Sequence, residues 1–139
     1  MIAYSNDVAL ARLKAFSNAI DSHASLAGKL RIFTGAMPLN GGEITNQVLL
    51  ASLEFPKPCL GDFGGRQIEL LKPLDTLAVA NGLAAWGRVT NGGGDFVLDL
   101  SAGLVGSGEP LQLVTNTDPP SLDVYSGGTV SVLSIVLSE

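Results

Sequence analysis

The sequence is short of the groups that do chemistry. Its 139 residues include one histidine, His23, and one cysteine, Cys59. A single cysteine excludes an intrachain disulfide and leaves nothing to mark an oxidising compartment. With one imidazole and one thiol, a transition-metal site of the usual nitrogen and sulfur ligands cannot be assembled within the chain. Charge is also scarce, at 15% of residues against 46% hydrophobic, the reverse of the balance that keeps a chain disordered. The eight Lys and Arg stand apart at 12, 14, 29, 31, 57, 66, 72 and 88, and the formal net charge is −5. A nucleic-acid binder displaces counterions with a gathered basic face, so direct binding of DNA or RNA is not expected. No apolar run approaches the length of a membrane span. The opening MIAYSNDVALARLK has no basic start followed by an apolar stretch, so no signal peptide is expected and synthesis in cytoplasm is.

What the chain has in quantity is glycine, 17 residues spread between short apolar runs, which reads as many tight turns. One helix is expected first, over residues 6–22. Ser5 or Asn6 can cap it, Asp7 suits its positive end, and Leu10, Leu13, Phe16 and Ile20 share a face. Gly28 ends that region. The period then changes to two. Strands are expected at 30–34, 47–55, 67–72, 83–90, 96–101, 111–115 and 129–138, with 57–65 a loop and 76–80 and 121–126 ambiguous. Asn91-Gly92-Gly93-Gly94-Asp95 is the clearest hairpin signal. After it, Phe96, Leu98 and Leu100 alternate with Asp95, Asp99 and Ser101, which predicts one buried and one wet face. Asn116-Thr117-Asp118-Pro119-Pro120 reads as a turn. The serines of the last strand, at 131, 134 and 138, break parity, which predicts a bulge or burial on both faces. Seven or eight short strands behind one helix define a mainly β chain: an antiparallel β-sandwich, jelly-roll-like, in a single domain. Residues 1–27 are its arm and helix, and 28–139 its sandwich.

Each candidate for chemistry has a plainer structural reading. His23 lies in Asp21-Ser22-His23-Ala24-Ser25, but neighbours in a helix-end loop rarely converge on one atom as a triad must. Cys59 follows Pro58 with nothing in evidence to lower its pKa. Asp95 and Asp99 supply too few oxygens for a hard cation. The glycines at 92–94 precede a strand, whereas a phosphate loop precedes a helix. Trp86 sits amid alanine and glycine and reads as a core or inter-sheet residue rather than a sugar platform. No catalytic residue, cofactor or metal site is therefore expected, and the chain is not expected to be an enzyme. Apolar residues of the arm and loops that cannot all reach one core are the candidate partner-binding residues: Tyr4, Met37, Pro38, Leu39 and Phe63.

Several runs carry a likeness. Leu30-Arg31-Ile32-Phe33-Thr34-Gly35-Ala36-Met37-Pro38, then Leu49-Leu50-Ala51-Ser52-Leu53-Glu54-Phe55, resemble a family of small structural proteins from tailed phages and prophages. Ala85-Trp86-Gly87-Arg88-Val89, Phe96 to Gly103 and Gly128-Thr129-Val130-Ser131-Val132 extend the likeness, which covers most of the chain from residue 30 onward. It departs at Pro56 to Leu77, where this chain has prolines, Cys59, Phe63 and charges. The resemblance implies a capsid cement or decoration protein on the outer surface of the virion. Its partners would be the major capsid protein and its own copies, as a homodimer or homotrimer. A head–tail connector or tail component, and a carbohydrate-binding module using Trp86, are the alternatives.

Overall fold

The structure is a computed structural model that describes residues 1–115 and 117–139. The predicted turn at 116–120 begins on Asn116, which lies outside the described residues. One helix, α1 (Asn6–Ile20), precedes eleven strands among the described residues. The strands are β1 (Lys29–Phe33), β2 (Leu49–Glu54), β3 (Leu60–Gly64), β4 (Gln67–Leu70), β5 (Thr76–Leu77), β6 (Gly82–Leu83), β7 (Trp86–Thr90), β8 (Phe96–Gly103), β9 (Leu111–Val114), β10 (Asp123–Val124) and β11 (Thr129–Ser138).

α1 starts where Ser5 accepts from the Val8 N–H through its hydroxyl, satisfying one of the free donors of the first turn. It ends two residues before the predicted boundary, because Asp21 is drawn away to accept from the Cys59 N–H, 3.1 Å. Its buried stripe is Ala9, Leu13, Ser17 and Ile20, with Leu10 and Phe16 only partly covered, so the helix is turned slightly from the expected face.

The strands form a mixed sheet in the order β2-β1-β7-β8-β9-β11-β4-β3, and β5 also pairs with β11. The sheet curls into a half-barrel. The segments on either side of β5 bridge toward the far edge: Leu74 N–H donates to Glu54 O (3.0 Å) and Val79 N–H to Leu50 O (2.8 Å). α1 packs on β3, β4 and β8. Leu30, Ile32, Leu53, Val89, Leu111 and Ile135 meet inside as the core. This is the mainly β, sandwich-like architecture with one N-terminal helix that the sequence predicts. A jelly-roll is a narrower description than this order supports.

Four details differ from the expectation, each for a local reason. The 57–65 loop contains β3, a short, glycine-containing, largely exposed edge strand whose sequence, LGDFG, has no alternation to read. β5, β6 and β10 have two residues each, too short to leave a period. The sheet is not antiparallel throughout, since β8 and β9 run parallel. A parallel pair ordinarily needs a long crossover. Here residues 104–110 suffice, because only Ala102 and Gly103 pair, with Leu111 and Gln112, and the strands overlap only at their ends. Finally, Phe96 does not share the inner face of Leu98 and Leu100. The β7/β8 register slips between Val89–Leu98 and Thr90–Phe96, leaving Val97 as a bulge that sends the Phe96 ring outward. The bulge predicted for the last strand lies at Leu133, between Val132 and Ser134.

Gly28 is a packing glycine rather than a helix stop. A β-carbon there would collide with the Ile20 side chain and lie 2.8 Å from Thr90 O. Gly28→Ala is therefore expected to destabilise the fold by about 1–3 kcal/mol, the usual cost of overpacking. A lowered denaturant midpoint at unchanged slope is the measurement that checks it.

Candidate functional site

The outer face of β1, β7 and β8 carries a second small layer. Phe33 and Trp86 are directly opposed across β1 and β7, and their rings stack at 4.8 Å. Trp86 is 1% exposed and donates its indole N–H to Thr34 O at 3.2 Å. Arg88 stands over both Trp86 and Phe96, with its Cζ 5.5 and 5.1 Å from their centroids. Its guanidinium grips Asp99 in a two-point pair, Nε to Oδ1 at 2.8 Å and Nη2 to Oδ2 at 3.0 Å. A further bond from Nη2 to Gly42 O (2.9 Å) ties down the loop after β1. The hydrogen bonds to Asp99 push the Arg88 pKa further up. The face predicted to be wet is therefore roofed at Asp99, whose side chain is 6% exposed. Trp86 offers no open ring face for a sugar.

The groups of the catalytic reading are each held in local structure. His23 Nδ1 accepts from the backbone N–H groups of Leu26 (2.9 Å) and Ser25 (3.2 Å). Ser22 donates its hydroxyl to Ala19 O, 2.7 Å. Asp21 Oδ2 accepts from the Cys59 N–H. No two of the Asp21, Ser22 and His23 side chains are hydrogen-bonded to each other, so nothing there resembles a nucleophile and its base. Cys59 is fully buried, and burial, then the charge of Asp21, push its thiol up to about 12. Asp95 accepts from Asn91 within the hairpin turn, while Asp99 belongs to Arg88. The carboxylates therefore do not form a pair. Among the described residues no group of three or more His, Cys, Asp and Glu is placed to hold a metal. Among the same residues no helix is long and apolar enough to cross a membrane.

Two surfaces remain. At the helix end, the N-terminal arm folds back on its own domain. Tyr4 donates its hydroxyl to Glu139 (2.9 Å), and Arg66 stands over its ring at 4.5 Å while donating to Tyr4 O at 3.1 Å. Arg12 pairs with Glu139 at 3.2 Å. Phe63 lies nearby under Lys14 Nζ, 3.6 Å from the ring centroid. A groove of about 820 Å3 opens between α1 and β8, β9 and β11, with Phe16, Leu98 and Leu100 among its walls and Arg12 and Glu139 at its rim. Tyr4 and Phe63 thus meet at one end, with Tyr4 half-buried in its own domain. Met37, Pro38 and Leu39 lie elsewhere, on the loop over Arg88, with Leu39 88% exposed.

The other surface was not legible as a site. Residues 76–84 and 122–130 are laced into one lobe. β6 pairs with β10, β5 with the start of β11, Ala78 exchanges bonds with Gly127 and Gly128, and Asn81 accepts from Ser126 N–H at 2.7 Å. Leu77, Val79, Leu83 and Tyr125 project from this lobe at 60, 65, 56 and 63% exposure. Leu74 adds a fifth exposed apolar side chain just before it. A pocket of about 180 Å3 opens beside Tyr125, lined by Leu113, Val114, Val124 and Asp123. Across residues 76–84 and 122–130 the one charged residue is Asp123, and no Lys, Arg or His follows Arg88 in the chain. That one-sided tail of the sequence is the signal from which the surface could have been suspected.

No family model, no curated protein and no solved structure matches this chain. What fold and site define is a curled, β-rich domain with one helix and an exposed apolar lobe.

Two outcomes follow. Asp99→Asn leaves the Arg88 guanidinium without its counter-charge in a covered layer and is expected to cost about 3–5 kcal/mol. The double change Arg88→Met with Asp99→Leu recovers much of that loss in the same denaturation experiment. Cys59 is expected to resist an alkylating reagent at pH 8 in the folded protein and to react once urea unfolds it. Its folded pKa of about 12 lies above the ordinary thiol value, so its contribution is complete below about pH 8.5. Stability should then fall as pH rises from there through 12, and Cys59→Ala should flatten that fall.

Proposed function

We propose that this chain is a structural protein of a tailed-phage virion, a capsid cement or decoration protein. It binds across major capsid protein subunits on the outer surface of the head. It is made in host cytoplasm and acts as a homodimer or homotrimer, without touching nucleic acid or membrane. The observation that carries this reading is the lobe of β5, β6 and β10, with Leu77, Val79, Leu83 and Tyr125 all more than half exposed. Apolar side chains concentrated on one hydrogen-bonded lobe mark a contact with another protein. Large exposed side chains of the loops, Leu39 above all, add anchors of the same kind. The resemblance of the strand and turn runs to the phage family supplies the identity of the partner.

Charge supports the same reading. A formal net charge of −5 does not favour contact with packaged DNA and suits the outside of a shell. Each contact is worth roughly 25 cal/mol per Å2 of apolar surface before association costs, so a modest interface gains its effect by repetition over the shell.

The test is a head assembled with and without the protein. Heads carrying it are expected to hold copies in the hundreds and to release DNA at a higher temperature. The variant Leu83→Asp with Tyr125→Asp is expected to fold, judged by circular dichroism and unfolding midpoint, but to be absent from purified heads. Equal heat resistance of heads with and without the chain overturns the proposal. A ring of six or twelve copies at one vertex would instead assign it to the head–tail connector.

A further inference from the structure

Three asparagines of this chain precede glycine: Asn40-Gly41, Asn81-Gly82 and Asn91-Gly92. This dipeptide is the one most open to spontaneous loss of the side-chain amide, because glycine puts no side chain in the way of its own nitrogen. The structure treats the three very differently.

Asn91 is held at every atom of its amide. Its Oδ1 accepts from Gly93 N–H at 2.9 Å and Asp95 N–H at 3.0 Å. Its Nδ2 donates to Asp95 Oδ2 at 3.2 Å and Ser22 Oγ at 3.3 Å. Gly92 behind it is pressed against the Leu26 backbone, where a β-carbon would collide. Asn81 accepts from Ser126 N–H at 2.7 Å, and Gly82 is packed so that a β-carbon would lie 2.6 Å from Thr34 Cγ2. Asn40 differs from both. Exposed as Asn81 also is, it sits on the short 3-10 turn over Leu39–Gly41, and its amide has no hydrogen-bond partner among the described residues. Its backbone stands in the left-handed region, φ 52° and ψ 40°. Gly41 does rest on the Phe96 ring, within 2.5 Å of a notional β-carbon, but that ring is itself half exposed and free to turn aside.

We propose that Asn40-Gly41 is a selective site of deamidation in the folded protein, while Asn81 and Asn91 are protected by the hydrogen bonds that fix their side chains. In the reaction the Gly41 backbone nitrogen gives its proton to solvent base and attacks Asn40 Cγ. The new N–Cγ bond forms, the Cγ–Nδ2 bond breaks, and Nδ2 leaves as ammonia with a proton from water. Water then opens the cyclic imide at one carbonyl to give aspartate, or at the other to give isoaspartate. The sum is amide plus water to carboxylate plus ammonium, with no redox change. A folded asparagine can follow this path only if its side chain is free to swing toward the next nitrogen, and that freedom is what separates Asn40 from the other two. The product adds a negative charge beside Leu39. In the isoaspartyl form it also lengthens the backbone next to Gly42, whose carbonyl Arg88 holds. This inference does not depend on the proposed virion role.

The full chain is incubated at mildly alkaline pH and 37 °C, folded and in guanidinium, then digested and mapped by mass spectrometry with separation of aspartyl and isoaspartyl peptides. In denaturant all three sites are expected to convert at comparable rates. In the folded protein Asn40 is expected to keep a rate of the same order. Asn81 and Asn91 should slow by at least roughly tenfold, the factor that one or two ordinary hydrogen bonds provide. Asn40→Gln should abolish the acidic form that grows in on ion exchange. If Asn40 is slowed as much as the other two, or if Asn81 or Asn91 converts first in the folded chain, the assignment is wrong.

Discussion

A curled sheet has an inner apolar face that water must not reach, and covering it at both ends is the constraint on which this fold depends. β11 is the element that makes both closures possible. Its ten residues, at about 3.3 Å each, run the length of the molecule. Its last residues pair with β4, beside which α1 packs. Its first two pair with β5, whose flanking segment reaches across to β2 through Val79 and Leu50. The middle pairs with β9, and the bulge at Leu133 supplies the bend that one strand needs to serve such different neighbours. Shortening β11 at either end would remove a closure, not merely a few ladder bonds.

The two closures differ in kind. At the helix end the chain satisfies itself. Tyr4, Arg12, Arg66 and Glu139 form a cluster of hydrogen bonds, cation–π contacts and one ion pair that fastens the arm to the residue just after β11. The pair is exposed on the Arg12 side, so its worth in energy is small, and its effect is to fix where the arm lies. At the β5 end the closure is thin. It consists of two-residue strands and single hydrogen bonds, with its larger side chains turned outward. The same segment that seals the core on one side leaves Leu77 and Val79 uncovered on the other.

How much of this was legible follows from which signals are local. The start of α1 and the 91–95 hairpin were readable, and the bulge in the last strand was one of two readings of its parity, because caps, turn residues and parity act between near neighbours. Cys59 is buried, in keeping with its reading as a buried or idle thiol. The outward turn of Phe96 was not, because a single bulge at Val97 reverses a face without changing the composition of the strand. The Arg88–Asp99 pair lies across a hairpin and looks, in sequence, like two solvated charges. Of the candidate partner residues, Tyr4 and Phe63 could not be sorted from Leu39 without knowing that Arg66 and Lys14 sit over their rings. The lobe itself escaped notice because β5, β6 and β10 are too short to carry a period.

The two ends also differ in charge, and this bears on what an exposed apolar lobe means. A surface kept soluble on its own account mixes charges of both signs among its apolar side chains. The helix end does so, with Asp7, Arg12, Lys14, Asp62, Arg66 and Glu139 within a few elements of one another. The lobe does not: across residues 76–84 and 122–130 its one charged residue is Asp123. Apolar residues that are more than half exposed, with a single charge among them, make a surface that is costly to leave in water. A partner that supplies apolar area relieves that cost, whereas the helix end, with both signs of charge interspersed, has no such cost to relieve.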